Sequence, residues 1–194
     1  MRNYFILIAV LLFSFVFVSG QIPTSIPANP LKTIYNPSPG VVPFARDVAV
    51  IDDITGDNYR EILVGSFGIA YIFDGKTNSI VFNLNDPNSL VQSVESFGDI
   101  TGDGISELAL GVPNDGSGGV VYIYNGFTGS LLRTINGLNN LGSFGVSLSS
   151  LGDVNGDGFP ELIIGSGSVQ NTGGFPVGRA YIYDVSNSAI LFTL

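Results

Sequence analysis

The sequence predicts an all-β protein built from three four-stranded repeats, and three observations carry that expectation. Short apolar segments rich in Ile, Val, Tyr and Phe recur along the chain, punctuated by Gly, Asn and Asp. That is strand-and-turn composition, with no room for helices. An acidic stretch occurs three times, as DDITGDNYREILVGS (52–66), GDITGDGISELALGV (98–112) and GDVNGDGFPELIIGS (152–166). The apolar segments keep one order around each copy, with a period of about 50 residues, which is the period of propeller blades.

The elements follow in chain order. The opening MRNYFILIAVLLFSFVFVSGQ has Arg2 as a positive n-region, an apolar run over 4–18, and the small residues Ser19 and Gly20 before Gln21. It reads as a signal peptide over 1–20, since the run is short of the roughly 20 residues a spanning helix needs. No later apolar run is long enough to span, so the mature chain is expected to lack a transmembrane segment. Residues 21–42 form a Pro-rich leader: with Pro43, this stretch holds six of the ten prolines, which favours extended chain over packed strands. The three repeats then occupy about 43–84, 90–135 and 144–194.

Within each repeat an apolar anchor (Phe44, Leu90, Phe144) stands nine residues before the first loop Asp. After the loop come a strand (EILVGS, ELALGV, ELIIGS), a second (GIAYIFDG, GVVYIYNG, GRAYIYDV) and a third (SIVFNL, SLLRTI, AILFTL). Nearly every strand position is apolar, so these sheets are expected to be covered on both faces, as blades stacked between blades are. The aromatic residues at 71, 73, 122, 124, 181 and 183 fit that core, with carbohydrate stacking as the rival reading.

Connector lengths separate the two ends of the stack. Anchor to first Asp is nine residues each time, and Tyr71, Tyr122 and Tyr181 each lie nine residues before Ile80, Leu131 and Ile190. The stretches from Glu61, Glu107 and Glu161 to those tyrosines take 10, 15 and 20 residues. In a four-stranded meander the first–second and third–fourth turns share one end. The acidic loops therefore belong to the invariant end, and variable loops such as 113–119 and 166–178 gather at the other, where binding surfaces are usually built.

With 194 residues the chain is long enough for one ordinary domain. It has no Cys, so core packing or metal must hold a secreted fold together, and no His, which removes the commonest general base and His-ligated zinc. A net charge of −9 argues against a nucleic-acid partner. There is no G-x-S-x-G elbow or P-loop, and no N-x-S/T glycan acceptor. Catalysis within this chain is not expected.

Nine of the sixteen acids sit in the three loops: Asp53, Asp57, Glu61; Asp99, Asp103, Glu107; Asp153, Asp157, Glu161. Such clusters repel unless a cation neutralises them. An EF-hand would need a Glu at position 12, but Val64, Leu110 and Ile164 stand there. Each loop instead offers carboxylates at positions 1, 5 and 9 and a side-chain oxygen of Thr55, Thr101 or Asn155 at 3. The backbone carbonyl of Tyr59, Ile105 or Phe159 at 7 completes the set. Position 6 is Asn58, Gly104 or Gly158, residues that tolerate positive φ. Oxygen-only ligands in a flexible loop select Ca2+ over Mg2+, giving about three sites; the alternative is an Asx-rich turn needing no metal. The third loop is expected to be tightest.

The stretch FGVSLSSLGDVNGDGFPELIIGS (144–166), with GDITGDGISELALGVP (98–113), resembles the FG-GAP repeats of the integrin alpha-subunit N-terminal propeller. In register Phe97-Gly98 matches Leu151-Gly152, so the middle repeat opens at Leu90-Val91 and the first at Phe44-Ala45. The resemblance covers about 43–194 and implies a seven-bladed, calcium-stabilised β-propeller that binds an extracellular ligand on the face away from the calcium loops. Three blades cannot close such a ring, so the remaining blades are expected from a longer chain or from other chains. The function expected is a secreted calcium-binding module for adhesion or for recognition of an extracellular protein or glycan, with structural calcium. The alternative is an accessory propeller of a secreted enzyme, of phospholipase or polysaccharide lyase type. A third reading is a purely structural surface or matrix protein.

Overall fold

The structure is a computed structural model that describes residues 5–9, 13–17, 32–38, 40, 43–137, 142–170 and 176–194. The chain divides into two compact units, Met1–Gly40 and Val41–Leu194. In the first, β1 (Phe5–Ala9) and β2 (Phe13–Phe17) pair antiparallel, Phe5 opposite Phe17. This pair falls within the expected signal peptide. Most of the expected leader lies outside the described residues. No helix among the described residues is long and apolar enough to cross a membrane.

The second unit is three antiparallel sheets. The first contains β3 (Phe44–Val50), β4 (Ile62–Phe73) and β5 (Ile80–Leu90). The second is β6 (Ser93–Gly98), β7 (Glu107–Val112), β8 (Val120–Tyr124) and β9 (Leu131–Asn136). The third is β10 (Phe144–Gly152), β11 (Glu161–Gln170), β12 (Pro176–Asp184) and β13 (Ala189–Thr193). Each pairs only neighbours in sequence, the up-and-down order of a blade.

Two expectations need correction. Four strands were expected in the first repeat, but its two inner strands form one continuous element, β4, whose first half pairs with β3 and whose second half pairs with β5. Phe67 already pairs with Leu90 of β5, so only Gly68 separates those halves, and its φ of 73° is not extended backbone. Of the segment 166–178, read as a loop, the described residues 166–170 and 176–178 instead lengthen the β11–β12 ladder, with Val169 opposite Val177 and Gln170 opposite Pro176. A register shift between Ser166 and Val169 absorbs the irregularity.

The middle sheet is apolar on both faces, as a strand composition without alternation requires. Leu108, Leu110 and Val112 pack with Ile51, Leu63 and Ile72 of the first sheet. Ala109, Val121 and Ile123 pack with Leu162, Ile164 and Tyr181 of the third. Tyr71, Phe73, Tyr124, Tyr181 and Tyr183 are all buried, and Tyr122 packs against the first core. The aromatics are therefore core, not a sugar platform. Polar staples reinforce the stack, because a buried backbone N–H needs an acceptor. Val94 N donates to Asp47 Oδ2, and Ser150 N to Glu95 Oε1, each at 2.9 Å between adjacent sheets.

The expected register holds at the acidic-loop end of the second and third sheets, but Leu90, expected to open the middle repeat, instead ends β5 opposite Phe67, and the middle sheet's first strand starts at Ser93. Gly98 lies opposite Glu107 and Gly152 opposite Glu161, so Phe97-Gly98 ends the first strand of its sheet and does not open it.

Candidate metal centre

Each acidic loop connects the first and second strands of its sheet, and each ends at a buried glutamate. Glu61, Glu107 and Glu161 are 0% exposed at the base of the loop. Burying a carboxylate is costly unless it is hydrogen-bonded, and these are. Glu107 accepts the Ile100 N–H at 2.6 Å and the Thr101 hydroxyl at 2.8 Å. Glu161 accepts the Val154 N–H at 2.7 Å and Asn155 Nδ2 at 2.9 Å. Glu61 accepts the N–H groups of Ile54 and Thr55 at 3.2 and 3.1 Å.

The first Asp of each loop winds the chain around itself. Asp99 accepts from Gly102 at 2.6 Å and Gly104 at 2.8 Å. Asp153 accepts from Gly156 and Gly158 at 2.6 and 2.9 Å, and Asp53 from Gly56 and Asn58, both at 2.7 Å. That winding needs left-handed backbone at position 6, where Asn58, Gly104 and Gly158 have φ of 67°, 89° and 93°. The Asp at position 5 then accepts the N–H of position 7 at 2.9 Å in all three loops.

In the second and third loops these bonds converge. Asp99, Asp103 and Glu107 bring one carboxylate oxygen each within 4.8 Å of one another, as do Asp153, Asp157 and Glu161. Among the described residues, the first loop's Asp53, Asp57 and Glu61 form no such group. The donor set of the two converging loops is all oxygen, which suits a hard cation.

The groups of the second loop are pushed in opposite directions. The Gly104 N–H foremost holds the Asp99 carboxyl below its usual range. The Asn125 amide does the same for Asp103. Burial pushes Glu107 up, against the Ile100 N–H and the Thr101 hydroxyl. In the first loop, burial raises Asp53, but the N–H groups of Asn58, Gly56 and Asp57 outweigh it and leave the carboxyl lowered.

A second set of residues, not identified from the sequence, touches the loops. The turn before the last strand lies beside position 5 in every sheet, as the invariant connector lengths required. Asn125 Nδ2 donates to Asp103 Oδ2 at 2.6 Å. In the third sheet Ser186 Oγ donates to Asp157 Oδ2 at 2.9 Å, and buried Asp184 accepts from Asn155 Nδ2 at 3.2 Å. In the first, Lys76 Nζ stands 3.5 Å from Asp57 Oδ2. The signal was present as an acid or amide closing YIFD, YIYN and YIYD, but it reads there as an ordinary turn residue.

The profile of the FG-GAP repeat matches residues 93–124 and 144–183, which hold the first three strands of the second and third sheets and their acidic loops. Integrin alpha-3 of Cricetulus griseus is 31% identical over 139 residues, covering 59% of this chain and 13% of its own length. Integrin alpha-6 of Gallus gallus is 31% identical over 144 residues, covering 63% of this chain and 13% of its own. The chain thus spans about an eighth of these relatives. Among solved structures, the Dos1 propeller is similar with a TM-score of 0.47 and 15% identity, over 69% of this chain and 34% of that one.

Proposed function

From a chain that carries FG-GAP repeats on neighbouring blade-type sheets and is similar to integrin alpha subunits, we propose a calcium-binding recognition module that works outside the cell. One observation carries the cation reading: two acidic triads, each gathered within 4.8 Å and each rooted in a fully buried glutamate. Carboxylates held this close favour a bound cation over mutual repulsion. The second loop would hold the ion with Asp99, Asp103, Glu107, Thr101 and the carbonyl of Ile105. The third would use Asp153, Asp157, Glu161, Asn155 and the carbonyl of Phe159; the matching set of the first loop, Asp53, Thr55, Asp57, Tyr59 and Glu61, does not bring its three carboxylates together in this way. Bound calcium supplies charge neutralisation and loop order, with no part in bond making.

The rest of the reading follows from the resemblance and the sheet stack. Residues 1–20 act as a signal peptide, 21–42 as a leader, and the repeats about 43–84, 90–135 and 144–194 as blades of a larger ring. Phe192, on β13, is 59% exposed, which supports a further blade packing there, from a longer chain or from another chain. The partner is an extracellular protein or glycan, met on the face away from the acidic loops.

Thermal unfolding in calcium, in magnesium and in excess chelator tests the cation reading. An ion that binds only the folded chain adds about 2.7 kcal/mol per site at one hundred times its Kd. Calcium is expected to raise Tm by several degrees over chelator, and magnesium by less. Equal Tm in all three would count against it.

A further inference from the structure

The first loop differs from its two copies at the positions where a cation would sit, and the chain itself supplies the difference. Arg60 occupies the place held by Ser106 and Pro160 in the other loops, and Lys76 the place held by Phe127 and Ser186. Lys76 Nζ lies 3.5 Å from Asp57 Oδ2 and 5.0 Å from the centre of the Tyr59 ring, so the ammonium rests between a loop carboxylate and an aromatic face. Arg60 Nη2 lies 3.4 Å from Asp52 Oδ1, and its Nε donates to the Ile51 carbonyl at 2.9 Å.

The loop's own bonds differ in the same sense. In the other two loops the position-3 side chain donates to the buried glutamate, from Thr101 at 2.8 Å and from Asn155 at 2.9 Å. In the first, Thr55 reaches Glu61 through its backbone N–H, and its hydroxyl turns to Asp53 at 3.5 Å. The carboxylates that gather within 4.8 Å in the second and third loops do not gather in the first.

We propose that the first acidic loop is closed by the chain's own Lys76 ammonium and takes no divalent cation, so that the module carries two cation sites and one built-in counter-ion. This rests on the reading of the second and third loops as calcium sites. A tethered ammonium beside Asp57 does part of a cation's neutralising work and repels an incoming divalent ion. The turn that carries Lys76 abuts position 5 in every repeat, so a single residue choice there decides whether the loop needs metal.

The test is a count of calcium bound per chain by equilibrium dialysis of the full chain, with Lys76→Met, Lys76→Gln and the double variant Asp103→Asn/Asp157→Asn. Two ions are expected in the parent, three in either Lys76 variant, and none in the double variant. The Gly56 and Asn58 amide resonances are expected to stay in place on calcium addition to the parent and to move in Lys76→Met. Three ions in the parent, or no gain in either Lys76 variant, overturns the proposal while leaving the calcium reading intact. No bound ion in the parent overturns both.

Discussion

Asn125 Nδ2 donates to Asp103 Oδ2 at 2.6 Å, tying the turn between β8 and β9 to the acidic loop of the same sheet. Asn125 is only 6% exposed, and its Oδ1 accepts the Thr128 N–H and hydroxyl at 2.7 and 2.8 Å. The third sheet has Asp184 at this place. Asn125→Asp therefore sets a carboxylate against Asp103 without losing the Thr128 bonds. The expected outcome is a lower Tm in chelator than the parent and a larger rise on adding calcium. Asn125→Ala, which removes both sets of bonds, is expected to cost about 1–2 kcal/mol whether or not calcium is present. Thermal unfolding of both variants with and without calcium separates the two effects.

Backbone strain distinguishes the first repeat's opening from the third's. Ala45 has a φ of 55° and Gly145, at the matching position, 83°. A side chain in left-handed backbone costs about 1–2 kcal/mol. Ala45→Gly is therefore expected to stabilise the chain by about 0.5–1 kcal/mol once the added freedom of the unfolded chain is deducted. A Cβ on Gly145 would meet the Val120 carbonyl oxygen and Val121 Cγ2, both at 3.0 Å. Gly145→Ala is expected to destabilise by about 2–4 kcal/mol, through strain plus overpacking between sheets. Denaturant midpoints at constant slope are the measure.

The same contrast separates what the sequence displays from what only the fold reveals. The Asp and Glu spacing in the loops, the positive φ at position 6 and the false opening at Phe97-Gly98 follow from local pattern, and pattern is what a sequence displays. The merging of two strands into Ile62–Phe73 was not legible, because the short link at Gly68 still looks like a turn between separate runs. Nor were Lys76, Asn125 and Ser186, whose contacts with the loops span 19 to 29 residues. The staples from Ser106 N to Asp52 and from Val94 N to Asp47 were equally hidden. An acid that caps the next sheet looks on paper like any surface acid.

Glu95 gives a pH dependence of known sign. Burial foremost, and the nearby Asp47 charge, push its carboxyl up against the Ser150 N–H that it accepts, leaving it raised above 4.5. A raised folded value means the native state holds the proton more tightly than the unfolded chain. The stability this gives is complete below the unfolded value and is lost as pH rises through the folded one. Glu95→Gln keeps an acceptor for Ser150 and removes the titration. As pH rises above the ordinary glutamate range, the parent is expected to lose more stability than the Gln variant does. Parallel stability–pH curves would mean that Glu95 ionises between the sheets without penalty.

The amide resonances of Gly102, Gly104, Gly156 and Gly158 decide whether the acidic loops are cation sites. Their N–H groups point at Asp99 and Asp153. The measurement is a calcium titration of the chelator-treated, 15N-labelled full chain, followed at those four amides. Saturable shifts at all four, with the core amides of Leu110 and Ile164 unmoved, is the result expected. A folded chain whose four glycine amides stay in place through millimolar calcium would contradict it, and the loops would then be acidic turns held by their own hydrogen bonds alone.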